Sequence, residues 1–172
     1  EENGANLAVK EINAAGGIDG KKIEVITKDN KSETAEAATV ATSLASEGAN
    51  VVIGTATSGA SAASIPALTS AGVPMISPSG TQTNLVENDK GEVQEYFFRT
   101  TFTDGYQGEI MAKYATENFS AKKVVLYFDN SSDYGKGVAE AFKKAYTGEI
   151  VSEITFASGD KDFQAALTKL KD

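Results

Sequence analysis

Short apolar runs alternate with helical segments along the chain, and this alternation constrains the fold more strongly than any other feature of the sequence. The clearest run, residues 123–128, is predicted to be a buried strand. Further strands are predicted at residues 21–27, 51–53, 73–77, 96–101 and 149–156. Helices are predicted at residues 1–15, 30–48, 61–71, 104–118 and 160–170, with another that follows Gly135 and ends near Tyr146. Strands that alternate with helices form parallel sheets with right-handed crossovers, so the predicted fold class is α/β.

Polar residues at two predicted helix starts suggest how those helices begin. Asn30, with Glu33 three residues later, predicts a capping box at the start of the second helix. Asp104 and Gln107 predict the N-terminal cap of the helix at residues 104–118.

Two segments rich in serine and threonine, residues 54–61 and 77–83, each follow a predicted strand directly. Ligands of parallel α/β sheets bind outside the carboxyl ends of the strands, so both segments are predicted to lie at the binding edge. No lysine or arginine occurs between Lys31 and Lys90. Hydroxyls and backbone N–H groups without cations suit a small carboxylate or zwitterion better than a polyphosphate.

These segments also have interpretations other than a ligand site. Segment 54–61 nearly matches a P-loop, but Ala60 stands where the phosphate-binding lysine is required. No glycine pattern typical of a dinucleotide fold follows a predicted strand. Plain helix capping explains the serines and threonines of segment 54–61 taken alone. The second segment favours a ligand, because capping accounts for one hydroxyl and this segment has four.

Several single residues have two interpretations each. Tyr134 is either a cover for an apolar ligand or an ordinary surface aromatic. Asp29, Asp129 and Asp133 could form an acidic or magnesium site, although turn-forming carboxylates are the favoured interpretation. Arg99 lies within a strand pattern, where a structural ion pair is favoured over a ligand contact.

Composition excludes several classes of function. The chain has 172 residues and a formal net charge of −8, which argues against a nucleic-acid partner. It has no cysteine and no histidine, which removes thiol chemistry, disulfides and zinc sites built from these residues, and no cofactor or metal is predicted. No apolar stretch approaches the length that spans a bilayer, and no signal peptide is present. Any targeting segment is therefore expected to be removed or to lie outside this sequence.

Several stretches of the chain resemble the Leu/Ile/Val-binding type of solute-binding protein of ABC transporters. They include Asn3-Gly-Ala-Asn-Leu-Ala-Val-Lys-Glu-Ile-Asn-Ala-Ala-Gly-Gly-Ile-Asp-Gly-Lys-Lys-Ile23 and Pro74-Met-Ile-Ser-Pro-Ser-Gly-Thr81. The others are residues 51–54, 98–101, 133–135 and 159–163. The resemblance implies the periplasmic binding protein type I fold, with two Rossmann-like lobes of doubly wound parallel sheets that close on an amino acid.

The resemblance also implies a domain organisation. Residues 1–101 would form a first lobe that lacks its first strand, residues 102–104 an inter-lobe crossing, and residues 105–172 part of a second lobe. The family's acidic partner for the ligand ammonium and its further pocket aromatics have no counterpart here, so the chain looks like about half of the binding protein. The chain is therefore expected to bind ligand weakly or not at all, and because a missing central strand leaves sheet edges unpaired, self-association through those edges is expected.

Site residues carry over from the resemblance. Ser58 and Thr81 look like the groups that hold the ligand α-carboxylate and help to orient its amine. The carbonyl of Ser79 resembles an acceptor for the ammonium, and Ala56 with Thr57 would line the side-chain pocket.

Tyr134 looks like a lid contributed by the second lobe. The implied function is that of a non-enzymatic, extracytoplasmic protein, periplasmic or a cell-surface lipoprotein. It would pass an amino acid, expected to be branched-chain, to an ABC transporter permease. A ligand-sensing domain of a receptor or regulator is the alternative. A serine hydrolase or acid-dependent phosphotransferase is disfavoured, because histidine and the nucleophile-elbow pattern are both missing.

Overall fold

The computed structural model describes residues 1–88 and 90–170. The chain divides into two compact units. The first comprises Glu1–Gly80 and Leu85–Thr101, and the second comprises Thr81–Asn84 and the chain from Phe102 onward. Each unit combines helices with a parallel sheet, which confirms the α/β fold class. Among the described residues, no helix combines the length and the apolar character needed to cross a bilayer.

The first unit is built around a three-stranded parallel sheet with the order β1-β2-β3. Val52 is paired with Met75, and Met75 with Phe97. Because all three strands run the same way, the residues that follow them emerge at one edge of the sheet. The elements of the first unit are α1 (Glu2–Ala14), α2 (Thr34–Ser46), β1 (Val52–Ile53), α3 (Ser58–Ala71), β2 (Met75–Ser77) and β3 (Phe97–Arg99). A 3-10 turn at Thr83–Val86 precedes β3.

The core of the first unit holds α3 against the sheet. Leu68 of α3, Met75 of β2 and Phe97 of β3 are each almost fully buried in one cluster. Burial of a side chain of this size contributes about 1.5–3 kcal/mol relative to exposure. Ala37 and Ala41 of α2 are buried too, and small side chains at these positions let α2 approach α3 closely. This packing fixes the position at which α3 begins, next to the carboxyl ends of the strands.

The strand predicted at residues 21–27 does not form. The backbone of Ile23 instead bonds the side chain of Asn13 in α1. Its N–H donates to Asn13 Oδ1 at 2.7 Å, and its carbonyl accepts from Asn13 Nδ2 at 2.9 Å. A strand needs the backbone of a neighbouring strand, and an amide side chain satisfies only one residue. The alternating pattern was therefore misleading without knowledge of its partner, and Val25 and Ile26 remain largely exposed.

Two predicted helix starts are also wrong in detail. The capping box does not form, because α2 begins at Thr34 with Glu33 in the N-cap position and without a side-chain cap bond. Asn30 Oδ1 accepts from the Ser32 N–H instead, which forms a turn before the helix. The cap of the helix that begins at Asp104 is Thr103, one residue earlier than predicted.

The second unit contains a two-stranded parallel sheet with helices packed on it. Its elements are α4 (Asp104–Glu117), β4 (Lys123–Asp129), α5 (Asp133–Ala145), β5 (Glu149–Phe156) and α6 (Gln164–Thr168). The helix predicted at residues 160–170 is thus reduced to five residues, none of them buried. Asp160 does not start the helix, because its carboxylate accepts from the Ala157 N–H at 2.8 Å. A helix this short gains too little packing to extend.

The strand β4 was predicted to be buried, but only one of its two faces is covered. Val124 and Leu126 pack against the cluster of Ala112, Phe142 and Tyr146 between the helices and the sheet. Val125 and Tyr127, which point to the opposite face, are more than one third exposed. The apolar run predicted a strand correctly, but its composition could not show that only one face is covered.

Candidate functional site

The β1–α3 loop, residues 54–57, leads from the carboxyl end of β1 into the first turn of α3. Thr57 has an extended backbone in the N-cap position, and Ser58 begins the helix three residues before the predicted start. Ala56 and Thr57 are exposed, whereas Ser58 is buried. The first N–H groups of a helix have no intrahelical acceptor and lie at its positive end. This loop therefore presents an arrangement that favours an anion, without a cationic side chain in the loop.

The β2 exit, residues 78–80, is bonded directly to the β1–α3 loop. The Ser77 hydroxyl donates to the Thr55 carbonyl at 2.8 Å and accepts from the Gly80 N–H at 2.8 Å. The Ser79 hydroxyl donates to the Ala56 carbonyl at 2.8 Å. Two hydroxyls thus join the two serine- and threonine-rich segments inside the first unit, as their predicted position at one sheet edge requires.

Ser79 is exposed, and its hydroxyl also contacts the carboxylate of Glu1. Arg99, at the end of β3, donates from Nη1 to the Gly80 carbonyl at 3.3 Å. Nothing in the sequence pattern connected Arg99 with this segment, since the two are nineteen positions apart. Arg99 therefore supports the backbone of the β2 exit from a neighbouring strand.

The predicted site residues fall into both units. Ala56, Thr57, Ser58 and Ser79 belong to the first unit, where the loop and the exit bring them together. Thr81 belongs to the second unit and is buried, and its carbonyl accepts from the Asp104 N–H at 2.8 Å. Their roles in ligand binding remain predictions.

Tyr134 lies in the first turn of α5, in the second unit, and is 44% exposed. Gln107 of α4 donates from Nε2 to the Tyr134 hydroxyl at 2.9 Å, which orients the ring. Ser132 caps α5, and its hydroxyl accepts from the Gly135 N–H at 2.9 Å. The sequence pattern assigned Gln107 to helix capping, so its contact with Tyr134 was missed. Only packing of α4 on α5 brings these two residues together.

The loop before Tyr134 is organised by Asp129. Its carboxylate accepts from the Ser131 hydroxyl at 2.6 Å and from the Ser131 N–H at 2.8 Å. These bonds, the hydroxyl first, lower the pKa of Asp129 below its ordinary value. The interpretation of Asp129 as a turn-forming carboxylate is confirmed. Within residues 1–88 and 90–170, no group of three or more acidic residues is placed to hold a metal ion.

A cavity of about 600 Å³ lies within the second unit and includes none of the predicted site residues. Its charged lining consists of Asp104, Asp133, Glu140, Lys136 and Lys144. Lys136 is paired with Asp133 at 2.9 Å. The lining thus carries both carboxylates and ammonium groups, so its charge does not point to one class of ligand.

The sequence of this chain is similar to those of known proteins. The sequence matches the family described as "Periplasmic binding protein" over residues 1–172. It is 37% identical to Leu/Ile/Val-binding protein homolog 3 of Brucella melitensis, over 99% of this chain and 46% of the relative. The chain thus spans about half the length of the curated relatives it matches.

Solved structures show the same relationship. The branched-chain amino acid transporter substrate-binding protein LivJ of Streptococcus pneumoniae, in complex with isoleucine, has a TM-score of 0.92 and 59% identity. The match covers 99% of this chain and 48% of that one. A solute-binding protein of an ABC transporter from R. palustris, in complex with benzoate, has a TM-score of 0.80 and 28% identity. That match covers 95% of this chain and 45% of the other.

Proposed function

Because the chain belongs to the periplasmic binding protein family, we propose that it acts as an extracytoplasmic solute-binding protein that captures an amino acid for an ABC importer. The observation that carries the proposal is the bonding of the β1–α3 loop to the β2 exit by the Ser77 and Ser79 hydroxyls. A branched-chain amino acid is the proposed ligand, supported by the names of similar proteins. The proposed partner is the permease of the importer.

The first unit offers complementary groups for both ends of an amino acid. The ligand carboxylate would accept from the Ser58 hydroxyl and from N–H groups in the first turn of α3. The ligand ammonium would donate to the Ser79 carbonyl, and Ala56 and Thr57 would contact the apolar side chain. In the second unit, Thr81 and Tyr134 are the proposed contacts. Binding without catalysis is supported by the lack of histidine and cysteine in the chain.

An aromatic carboxylate is the second candidate ligand, because a similar protein was solved with benzoate. Such a ligand shares the carboxylate but has no ammonium for the Ser79 carbonyl. A comparison of the affinities for ligands with and without an amino group therefore distinguishes the two candidates.

The test is an NMR titration of the ¹⁵N-labelled chain, which detects binding as weak as a Kd of about 1 mM, or about 4.1 kcal/mol. The ligands are isoleucine, 3-methylpentanoate, which keeps the carboxylate and side chain of isoleucine without the ammonium, and benzoate. We expect saturable shifts of the amides of residues 56–59 and 79–81 with isoleucine, and at least about tenfold weaker binding of 3-methylpentanoate.

The variant for this test is Ser58→Ala combined with Thr81→Ala, with Ser64→Ala as the control. Ser64 is a buried serine of the same helix α3, and its hydroxyl bonds the Ala60 carbonyl at 2.9 Å. The double variant should lose the isoleucine shifts, and the control should keep them. Saturable binding of isoleucine at equal affinity in the double variant would refute the assigned contacts. Binding of benzoate alone would refute the amino acid as ligand.

A further inference from the structure

One fully buried hydroxyl, that of Ser77 at the end of β2, joins the backbones of both loops of the proposed site. It donates its proton to the Thr55 carbonyl in the β1–α3 loop and accepts from the Gly80 N–H in the β2 exit. A hydroxyl has one proton and two acceptor lone pairs, so both bonds form at the same time. The position of one loop is thereby tied to the position of the other.

Ser61 restrains Thr55 through its side chain. Its hydroxyl, also fully buried, lies 3.0 Å from Thr55 Oγ1. Thr55 is thus bonded through its carbonyl to β2 and through its hydroxyl to the first turns of α3. The start of α3, where Ser58 lies, cannot shift relative to β2 without breaking one of these bonds.

Gly80 closes the arrangement sterically. A Cβ at Gly80 would lie 2.8 Å from Ser77 Oγ and 3.0 Å from Ser61 Oγ, closer than ordinary Cβ contacts. Glycine is therefore required for the close approach of the Ser77 and Ser61 hydroxyls to the backbone at residue 80, and the two hydroxyls fill the space that a side chain would occupy. The loops are close-packed around buried hydroxyls, so their relative position has little freedom.

We infer that Ser77 is a positioning residue, which sets ligand affinity through the geometry of the two loops. This inference rests on the proposed function, since it assigns the loops to the ligand. Ser77 is completely buried, so it acts through the Thr55 carbonyl and the Gly80 N–H. Through them it holds the Ser58 end of α3 and the Ser79 carbonyl at one spacing. Because this spacing is preformed, ligand binding does not have to order the loops, and affinity is higher as a result.

Ser64 supplies the matched control, because it separates positioning from general stability. It is 2% exposed, and its hydroxyl donates to the Ala60 carbonyl at 2.9 Å and lies 3.4 Å from the Ala37 carbonyl, both outside the two loops. Ser64→Ala and Ser77→Ala each remove one buried hydroxyl from the first unit. Only Ser77→Ala removes a bond between the loops, which then remain joined by the Ser79 hydroxyl and the Ala56 carbonyl.

The first measurement needs no ligand: amide hydrogen exchange of Gly80, followed by NMR in the 172-residue chain. Gly80 is buried, and its N–H loses its acceptor in Ser77→Ala. We expect exchange about tenfold faster in this variant and unchanged within about twofold in Ser64→Ala. Equal Gly80 exchange in wild type and Ser77→Ala would overturn the inference.

The second measurement is the isoleucine titration of the same proteins. Ser77→Ala should bind isoleucine about tenfold more weakly, and Ser64→Ala should match wild type within about twofold. Unchanged affinity in Ser77→Ala, despite faster Gly80 exchange, would overturn the positioning role. If wild type binds no isoleucine, the proposed binding of isoleucine by this chain is refuted, whereas the coupling of the loops is still decided by the exchange rates.

A second variant covers the case in which Ser77→Ala does not fold. Ser61→Ala removes only the bond to the Thr55 hydroxyl and leaves the Ser77 bonds in place. It should weaken isoleucine binding by about threefold, since one restraint on the β1–α3 loop remains. Affinity equal to that of Ser64→Ala would count against the inference.

Discussion

Substitution of Gly108 by alanine tests the packing of α4 on α5, on which the contact between Gln107 and Tyr134 depends. A Cβ at Gly108 would lie 2.5 Å from the Cβ of Ala141 and 2.6 Å from the backbone nitrogen of Phe142. Ordinary Cβ contacts lie at 3.4–4 Å. The two helices would therefore have to separate by about 1 Å, because backbone atoms cannot move away by a change of rotamer.

Two effects of Gly108→Ala oppose each other. Alanine is favoured over glycine inside a helix by about 1 kcal/mol. Overpacking of a close helix contact costs typically about 1–3 kcal/mol, and a contact with rigid backbone belongs at the upper end. The separation would also loosen Ala112 and Phe142, which are buried in the same cluster. We expect a net loss of about 2 kcal/mol in the free energy of unfolding of the second unit.

The assay is urea unfolding followed by tyrosine fluorescence. Of the six tyrosines, those in the second unit are Tyr106, Tyr114, Tyr127, Tyr134 and Tyr146. The signal therefore reports mainly the second unit, and the midpoint should fall with little change of slope.

Gly105→Ala in the same helix is the matched control for Gly108→Ala. A Cβ at Gly105 would meet only Thr83 Oγ1 at 3.4 Å and Thr103 Oγ1 at 3.6 Å, both ordinary contacts. It should leave stability unchanged or raise it by up to about 1 kcal/mol. A midpoint of Gly108→Ala equal to or above that of wild type would refute the close approach of α4 and α5.

Three further predictions concern other parts of the chain. Thr103→Ala removes the cap bond to the Tyr106 N–H and should lower the stability of the second unit by about 1 kcal/mol in the same urea assay; no change would show that the cap is dispensable. The pKa of Asp129 is lowered in the folded chain. The Asp129 carboxylate therefore stabilises the folded state above the unfolded pKa of about 3.9, and this stabilisation is lost as pH falls through the lower folded pKa. Protection of the Ser131 amide from exchange, relative to its intrinsic rate at each pH, should therefore fall in acid in wild type but not in Asp129→Asn, and equal profiles would contradict this. Self-association through the edge strand β1, where Ile53 and Val51, which directly precedes the strand, are about half exposed, should give a sedimentation coefficient that rises with concentration, whereas a monomer at all concentrations would contradict it.

Local sequence signals predicted those elements that need little outside support. The strand β5 has the predicted bounds, and α1 lies within one residue of them, because their apolar periodicity is regular. The segment 21–27 has an equally regular alternation, but it forms no strand, because among the described residues no strand of either sheet pairs with it and Asn13 bonds the backbone of Ile23 alone. Periodicity describes which faces are apolar, whereas strand formation depends on a neighbouring backbone that the local sequence does not contain.

The part of the candidate site that depends on strand order could be predicted from the sequence. The hydroxyl-rich segments follow β1 and β2, and parallel strands necessarily place both at one edge of the sheet. The predicted contacts Ser58 and Ser79 follow from this placement and from the resemblance. The support from Arg99 and from Gln107 was not predictable, because each depends on packing between elements distant in sequence.

By itself, the sequence determined the α/β class and the family, because these depend on periodicity and motifs, and from its distribution of charge it predicts a ligand that is a small carboxylate or zwitterion. Only the tertiary structure decided which hydroxyls hold the site together. Ser77 and Ser61 look like any other serine in the sequence, and they become connectors only when β2 and α3 bring Thr55 and Gly80 within hydrogen-bonding distance. The physical reason is that a hydrogen bond requires a donor and an acceptor within about 3 Å of each other. When the two groups are distant in sequence, only tertiary packing brings them that close.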